Sequence, residues 1–279
     1  MAGHQNDINS FPFHELLDPS GKLWASFYRV DNRYLLRFTG FADFTISSDG
    51  LEIIANPVQG VSEQTVEHLY LNVALPLAFS RQLKLVLHAS AVEMDNTAVA
   101  FLGVSGRGKS TLAASFSTSG FRFLTDDGLQ LEPGAGGYLI LPSHPSIRLW
   151  DDSLQALIPE STPLAAAVDY TPKARLLAGD EVAYCNQPRP LSCAYFLGEG
   201  QVDSVMITPV SGRDAMIELV KHSFLLDIEA REMLTHHFGQ LLSLARTPIF
   251  FRLDYPRDYE ILPEVREAVR QHMLLVGLQ

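Results

Sequence analysis

The chain has 279 residues and only two cysteines, Cys185 and Cys193, which do not have the spacing of a metal-binding pair. So few cysteines exclude a disulfide framework and indicate a reducing compartment. No apolar run reaches the roughly 18 residues that a transmembrane helix requires, and the first residues lack the basic and apolar stretches of a signal peptide. The sequence therefore predicts a cytoplasmic protein that is not attached to a membrane.

Positive charge is also scarce, because 21 lysines and arginines stand against 32 aspartates and glutamates, and only five of the 21 are lysines. The formal net charge of −11 repels nucleic acids and anionic membrane surfaces, so neither is expected as a partner. A polyanionic ligand would need a local positive site. With 47% hydrophobic and 19% charged residues, the composition is globular, and the length allows one large or two modest domains.

Residues 1–82 are predicted to form a small β-rich unit that ends in a helix. Residues 23–39 and 43–55 each alternate between apolar and polar side chains on both sides of a turn sequence, Asp-Asn or Ser-Asp-Gly, which is typical of β-hairpins. Apolar residues at helical spacing then predict a helix that begins near Ser62 and that Pro76 kinks or ends.

Residues 83–279 are predicted to form an α/β domain, because short apolar runs alternate with helical patterns. Strands are expected at 86–92, 98–102, 121–125, 129–131, 138–141, 194–197, 205–209 and 249–253, and helices at 111–119, 213–226, 228–246 and 262–275. A glycine-rich turn at 134–137 joins two of these strands as a hairpin, so the sheet is expected to be mixed and not wholly parallel.

One segment carries a specific chemical motif. The run Gly103-Val-Ser-Gly-Arg-Gly-Lys-Ser110 matches GxxxxGK[ST] throughout, between a predicted strand and a predicted helix. In such a P-loop, successive backbone amides face a phosphate, Lys109 contacts the terminal phosphates, and the Ser110 hydroxyl binds Mg²⁺. The predicted phosphate-binding residues are Gly103, Val104, Ser105, Gly106, Arg107, Gly108, Lys109, Ser110 and Thr111. The alternative is a glycine turn that caps a helix without a nucleotide, with Arg107 simply exposed to solvent.

Further candidates lie on both sides of this loop. Asp126 and Asp127 follow the next predicted strand, and phosphoryl transfer needs one carboxylate for the metal and one for the acceptor hydroxyl. Neighbouring residues of a strand point to opposite sides, so the two would have different roles; a solvated Asp-Asp-Gly turn is the alternative. His88 is either catalytic or a hydrogen-bonded core histidine. Lys173 and Arg175 are either cations for the transition state or an exposed basic pair.

His88, the glycine loop and the Asp126-Asp127 pair together resemble the kinase domain of bacterial HPr kinase/phosphorylase over residues 85–130. Later segments resemble the shorter HPr-kinase-related proteins found beside peptide-modification genes; these segments are 145–150, the region of Lys173, 254–257 and 262–265. The resemblance implies an α/β fold similar to that of phosphoenolpyruvate carboxykinase, with a P-loop in a mixed sheet and with ATP and Mg²⁺ as ligands.

The resemblance also implies roles for single residues. His88 would assist the reaction, and either Asp126 or Asp127 would take the proton from an acceptor serine; the sequence does not decide which. The expected catalytic residues are His88, Lys109, Asp126, Asp127 and Lys173, and the expected metal ligands are Ser110 and Asp127.

The longer enzymes have a Glu-x-Arg-Gly stretch in which the glutamate binds the metal. Here the corresponding run is Ser146-Ile-Arg-Leu149. Either Asp151 or Asp152 therefore replaces that ligand, or the metal has one carboxylate fewer.

Taken together, these features predict an ATP-dependent kinase that phosphorylates a serine hydroxyl of a peptide or small protein, and similar proteins of this size point to the C-terminal serine of a lasso-peptide precursor. HPr and the reverse phosphorolysis are not expected, because the metal-ligand stretch and the N-terminal unit differ from those of the longer enzymes. The alternatives are an ATPase or nucleotide-binding regulator without a hydroxyl acceptor, and a small-metabolite kinase. A homo-oligomer is an open expectation.

Overall fold

The computed structural model describes residues 5–18 and 20–276, and these residues divide into two compact units. One unit comprises the chain up to Lys84 together with Ala166–Pro172 and Leu225–Met233. The other comprises Leu85–Ala165, Lys173–Phe224 and the chain from Leu234 onward. The sequence prediction placed the boundary at residue 82 and assigned both short segments to the second domain, because seven to nine residues carry too little local pattern to reveal where they pack.

The first unit contains an antiparallel sheet with its strands in sequence order. The strands are β1 (His14–Leu17), β2 (Leu23–Val30), β3 (Arg33–Phe38), β4 (Ala42–Ser47) and β5 (Ile53–Pro57). Both predicted hairpins are confirmed, since β2 pairs with β3 and β4 pairs with β5. β1 was not predicted, because a four-residue strand with a charged second residue carries almost no alternation.

The predicted helix of this unit continues past the proline. It consists of α1 (Glu63–Leu69), a π-helical turn (Tyr70–Ala74) and α2 (Leu75–Arg81). Of the two effects predicted for Pro76, a kink or an end of the helix, the end does not occur. Pro76 lies in the first turn of α2, directly after the π-helical turn. Proline has no backbone N–H to donate, and this would interrupt a regular α-helix. Here the backbone hydrogen-bond pattern already changes at the π-helical turn, so the helix continues.

The second unit contains the predicted mixed sheet. Its strands are β6 (Leu85–Leu87), β7 (Ala89–Met94), β8 (Thr97–Leu102), β9 (Arg122–Thr125), β10 (Leu129–Gly134), β11 (Gly137–Leu141), β14 (Arg189–Leu197), β15 (Met206–Pro209) and β16 (Phe250–Asp254). Their order is β6-β10-β11-β14-β8-β7-β9, with β16 also paired to β14 and β15 paired to β16. β14 is parallel to β8 and to β16, and the other pairs are antiparallel. A separate two-stranded antiparallel sheet was not predicted; its strands are β12 (Ser146–Leu149) and β13 (Ala174–Leu177).

The second unit also contains helices α3 (Lys109–Ser117), α4 (Asp151–Leu157), α5 (Gly212–Lys221) and α7 (Leu262–Val276), with a 3-10 turn at Tyr259–Ile261. A further helix, α6 (Arg231–Ala245), belongs to the second unit from Leu234 onward. α3 is the central one: its small and apolar residues are buried on every side, and Phe116 stacks on Phe101 of β8 at 5.6 Å. This packing fixes the start of α3, and hence the preceding glycine loop, relative to the sheet.

The single strand predicted at 86–92 is in fact broken at His88. β6 pairs with β10, whereas β7 pairs with β8 and β9, and His88 lies between them. The backbone N–H of His88 donates to the carbonyl of His222 at 2.6 Å, just beyond the end of α5. The same contact explains why α5 ends at Lys221 and does not run to 226, since the backbone after it pairs with β6. Among the described residues, no helix has the length and apolarity needed to cross a membrane.

Candidate active site

The glycine motif forms the loop between β8 and α3. Gly106 and Gly108 have φ of 83° and 90°, a region that residues with a Cβ rarely adopt. Gly108 is also confined, because an added Cβ would lie 3.3 Å from the Tyr255 hydroxyl. The Lys109 ammonium folds back over the loop and donates to the carbonyls of Gly103 at 2.8 Å and Val104 at 3.4 Å. Burial lowers the pKa of Lys109 from its usual value.

Two other loops lie beside this one, because β8, β14 and β16 are parallel and end at the same edge of the sheet. Arg107 of the glycine loop contacts the Glu199 carboxylate at 3.3 Å, after the end of β14. Arg257, after β16, donates to the carbonyl of Gly198 at 2.6 Å, and Asp254 accepts the N–H of Gly200 at 2.7 Å. The crevice at the carboxyl ends of parallel strands is where α/β proteins commonly bind ligands.

Asp126, just after β9, is the carboxylate that faces the glycine loop. It accepts the hydroxyl protons of Ser110 at 2.9 Å and Ser90 at 2.5 Å, and its second oxygen accepts the backbone N–H of Arg148 at 3.1 Å. Burial, and then the neighbouring Asp127, raises the pKa of Asp126 above its usual value. Ser110 and Asp126 are therefore in direct contact.

Asp127 faces a different set of partners. Its Oδ1 lies 3.1 Å from His88 Nε2, and its Oδ2 accepts a hydrogen bond from the Arg148 guanidinium. Burial would raise the pKa of Asp127, but Arg148 and His88 outweigh it and hold that pKa well below the usual range. The alternative of a solvated turn was wrong, since Asp126 and Asp127 are each only 7% exposed.

The side chains of Asp126 and Asp127 reach different partners, as predicted, but not because of strand alternation. Both residues lie beyond the end of β9 at Thr125, so strand alternation does not apply. Asp127 instead has a φ of 69°, a left-handed conformation, and this turn sends its side chain to other partners than those of Asp126.

These groups surround one cavity of about 420 Å³. The described residues that line it are His88, Ser105, Gly106, Arg107, Gly108, Lys109, Ser110, Thr111, Asp127, Arg148, Trp150, Asp152, Ser153, Lys173, Glu199, Tyr255, Arg257, Asp258, Tyr259 and Leu262. Most residues of the predicted site therefore meet in one place, with Gly103 and Val104 at the base of the loop and Asp126 buried beneath it.

Of the two predicted cations, the structure brings Lys173 into the cavity. Its ammonium lies 5.1 Å from the centre of the Trp150 ring, and burial and Arg148 lower the pKa of Lys173. Arg175, in contrast, is a buried residue of β13 and pairs in register with Arg148 of β12. Similarly, Asp152 lines the cavity, whereas Asp151 is not among the lining residues in the described part of the chain.

Sequence reasoning missed several residues of the site. Arg148 was noticed only as part of a divergent motif, yet it contacts both aspartates. Ser153, Tyr255 and Tyr259 received no role. The available signal was indirect: Arg148 and Tyr255 lie in segments that the resemblance covers, but nothing in the spacing places them beside the loop.

The donor set fits a hard divalent cation that is shared with a substrate. Within residues 5–18 and 20–276, no group of three or more His, Cys, Asp or Glu side chains forms a complete metal cage. Mg²⁺ usually keeps several waters and takes one or two protein oxygens together with substrate phosphates. The Ser110 hydroxyl and the Asp126 carboxylate supply such a pair, whereas Asp127, the expected second ligand, contacts His88 and Arg148 instead.

Comparisons with known proteins give a remote structural similarity and no match to a family model or a curated protein. Among solved structures, the chain is similar to the HPr(Ser) kinase/phosphatase from Coxiella burnetii, with 11% identity and a TM-score of 0.38 over 69% of this chain and 98% of that chain. A likeness this remote assigns no function to this chain.

Proposed function

We propose that the protein is an ATP-dependent kinase that transfers the γ-phosphoryl group of ATP to a hydroxyl group. The observation that carries this proposal is a single cavity in which a GxxxxGKS loop lies beside two buried carboxylates with different partners. A loop that only capped α3 would have no need for either carboxylate.

The donor phosphates would lie against the glycine loop and the start of α3. Lys109 would exchange its bonds to Gly103 and Val104 for bonds to phosphate oxygens, which are stronger acceptors because they are charged. Arg148 and Lys173 line the same cavity and add positive charge where the transferred group gains negative charge.

Ser110 and Asp126 would hold Mg²⁺ together with the donor phosphates. The bound ion would neutralise phosphate charge during the transfer. Ser90 and the Arg148 amide fix the Asp126 carboxylate, so its orientation does not depend on the ion.

Asp127 would act on the acceptor. As the acceptor oxygen bonds to the γ-phosphorus, the bond from that phosphorus to the ADP oxygen breaks, and the acceptor's hydroxyl proton passes to Asp127. Such transfers depend mainly on positioning and charge, so a weak but fully ionised base is sufficient. His88 positions Asp127, and Arg148 keeps it ionised.

The acceptor class, a serine of a peptide or small protein, is proposed from the sequence resemblance, with the C-terminal serine of a lasso-peptide precursor as the preferred case. The test is transfer of label from γ-³²P-ATP with Mg²⁺ to peptides that end in serine, compared with matched peptides that end in alanine. We expect label only on the serine peptides.

Three variants test separately the proposed roles of Asp127, Asp126 and Lys109. Asp127→Asn should lower transfer by roughly 10²- to 10⁴-fold and leave ATP affinity nearly unchanged. Asp126→Asn should weaken Mg²⁺-dependent ATP binding, and Lys109→Ala should abolish ATP binding. Asp203→Asn, on the exposed surface, is the matched control.

Two results would contradict the proposal. One is ATP binding without any labelled acceptor, with Asp126→Asn and Asp127→Asn equal to the unaltered protein. The other is phosphate release at full rate without an acceptor, which would indicate an ATPase or a regulator. Label on a small hydroxyl compound, but on no peptide, would retain the kinase and replace its acceptor class.

A further inference from the structure

The small sheet of β12 and β13 brings two cations into the cavity. Arg148 is a residue of β12, and Lys173 directly precedes β13. Trp150 directly follows β12, so Trp150 and Lys173 come one position beyond the last registered pair, Leu149 with Ala174. In agreement with this placement, the Lys173 ammonium lies 5.1 Å from the centre of the Trp150 ring. Arg148, Trp150 and Lys173 all line the cavity.

Arg148 relates these two residues to the proposed base. Its guanidinium donates to Asp127 Oδ2, and Trp150, whose backbone is also extended, follows two positions later. Alternate residues of an extended strand point to the same side and are about 7 Å apart. Burial, and then Arg148, lowers the pKa of Lys173, whereas Asp127 raises it, so the ammonium lies within electrostatic reach of both. A group bound at Lys173 would therefore lie about one residue's length from a hydroxyl bound at Asp127.

The Lys173 ammonium can bind an anion while it stays on the Trp150 ring. An ammonium has three N–H donors, and contact with the face of a ring leaves donors for a further partner. Lys173 is half-buried, so its ammonium has lost part of its hydration. A carboxylate contact at such a place is less screened by water than one on the open surface, and it is correspondingly stronger.

A serine at the C-terminus of an acceptor carries a suitable anion. Its hydroxyl and its α-carboxylate are attached to neighbouring carbon atoms, so a hydroxyl at Asp127 leaves the carboxylate within reach of Lys173. A serine inside a chain has an uncharged carbonyl at that place, and the next residue would have to pass beside Trp150 and Lys173. The donor phosphates, in contrast, have Lys109 and the N–H groups of the glycine loop as their partners.

We propose that Lys173, held against Trp150, binds the free α-carboxylate of the acceptor and thereby restricts transfer to a serine at the end of a chain. This inference rests on the proposed function and deepens it, because it assigns the acceptor preference to one side chain of the cavity. The preference for a terminal serine then has a physical cause in the charge of Lys173, beside its basis in sequence resemblance. The contact adds to the positive charge that Lys173 gives to the cavity.

The experiment compares three peptides of otherwise equal sequence as acceptors of label from γ-³²P-ATP with Mg²⁺. One ends in serine with a free carboxylate, one ends in serine carboxamide, and one has a glycine after the serine. The unaltered protein should phosphorylate the free acid at least about tenfold more efficiently, in kcat/KM, than either of the others, as expected when a hydrogen bond between charged groups is lost.

Variants of Lys173 assign this preference to its charge. In Lys173→Met the preference should fall below about threefold, whereas Lys173→Arg keeps the charge and should retain most of it. Lys221→Met removes an exposed lysine of α5 that is not among the described lining residues, and it should keep the tenfold preference. Affinities of the same peptides, measured without ATP, give the ratio even for a variant that no longer transfers phosphate.

The outcomes separate this inference from the function on which it rests. Equal labelling of the free acid and the carboxamide by the unaltered protein would overturn the carboxylate contact and leave the kinase proposal intact. An equal loss on both peptides in Lys173→Met, with their ratio unchanged, would also overturn it, because Lys173 would then act only on the transferred phosphoryl group. If the unaltered protein labels no serine peptide, the acceptor class of the proposed function is wrong, and this inference fails with it.

Discussion

At the scale of single residues, identical side chains acquire opposite properties from their neighbours. Asp126 and Asp127 are adjacent and equally buried, yet the pKa of Asp126 is raised and the pKa of Asp127 is lowered. Asp126 accepts hydrogen bonds from hydroxyls and one backbone amide, which carry no charge, so burial has the larger effect on its pKa. Asp127 instead faces Arg148 and His88. Asp127 therefore stays ionised to a lower pH than Asp126, as the proposed role of a base requires.

Gly108 provides a prediction at this scale. Its φ of 90° is unfavourable for alanine, and an added Cβ would lie 3.3 Å from the Tyr255 hydroxyl. We expect Gly108→Ala to lower the free energy of unfolding by about 1 kcal/mol and ATP affinity by at least roughly tenfold, because the loop must shift. Urea unfolding and ATP titration measure the two effects.

Gly120→Ala is the matched control for this variant. Gly120 has a φ of 92°, but open space surrounds the position of its Cβ. It should therefore show a similar loss of stability with unchanged ATP affinity. Full ATP affinity in Gly108→Ala would show that the loop conformation does not matter for binding.

At the scale of elements, short helices and strand breaks depend on contacts outside themselves. α1 has seven residues, too few to be stable on helix propensity alone. Asp169, a residue of the same unit, accepts hydrogen bonds from the Ser62 N–H at 3.0 Å and from the hydroxyls of Ser62 and Thr65 at 2.9 Å. Ser62 in turn caps α1 by accepting the N–H of Thr65.

This capping arrangement predicts the effect of one substitution. Ser62→Ala should lower the free energy of unfolding by about 1 kcal/mol, because the Thr65 N–H loses its side-chain acceptor and keeps only the Ser62 carbonyl, and because Asp169 loses a donor. Chemical denaturation measures the change. The exposed Ser204→Ala should stay within about 0.5 kcal/mol of the unaltered protein, and an equally small effect of Ser62→Ala would mean that Ser62 does not stabilise α1.

At the scale of the whole molecule, distant parts of the sequence complete each unit. The segment Leu225–Met233 belongs to the first unit, nearly 200 residues after the sheet to which it binds. Its Asp227 accepts two hydrogen bonds from Arg29, at 2.6 and 3.1 Å, and one from the Tyr34 hydroxyl at 2.9 Å. Burial is the largest single influence and would raise the pKa of Asp227, but the hydrogen bonds from Arg29, the Glu229 N–H and the Tyr34 hydroxyl together outweigh it and lower the pKa.

The lowered pKa gives a pH prediction with a definite sign. A carboxyl with a depressed pKa in the folded state stabilises the fold above its unfolded pKa of about 4, and this contribution is lost as the pH falls through the folded-state value. At pH 7, Asp227→Asn should lower the free energy of unfolding by about 2 kcal/mol. The difference between the two proteins should shrink below about pH 4.

Denaturation at a series of pH values measures this convergence. Asp203→Asn replaces an exposed aspartate and should remain within about 0.5 kcal/mol at pH 7. A difference for Asp227→Asn that is the same at pH 3 and pH 7 would show that the charge of Asp227 does not contribute.

The charge balance is also a property of the whole molecule. A net charge of −11 repels nucleic acids and ATP alike. The described lining of the cavity has five cations, Arg107, Lys109, Arg148, Lys173 and Arg257, against four carboxylates, Asp127, Asp152, Glu199 and Asp258, so its charge balance is slightly positive on a chain whose balance is negative. A polyanion would therefore be attracted locally by a protein that repels it at long range.

The sequence by itself determined the features that depend on consecutive residues. The glycine loop, its flanking strand and helix, and the hairpins of the first sheet follow from backbone freedom, turn chemistry and periodicity over a few residues. These are short-range effects, so their cause lies within the segment that shows them.

Only the tertiary structure decided how these pieces form a site. The contacts in the site join residues that lie from 16 to more than 100 positions apart. They are Ser110 with Asp126, Arg148 with Asp127, Thr111 with Ser153, and Ser153 with Tyr259. Hydrogen bonds form only within about 3.5 Å, and whether two remote residues come that close depends on how the strands are ordered and where they end. No local pattern encodes that order, and for this reason the different partners of the two aspartates became visible only in the folded chain.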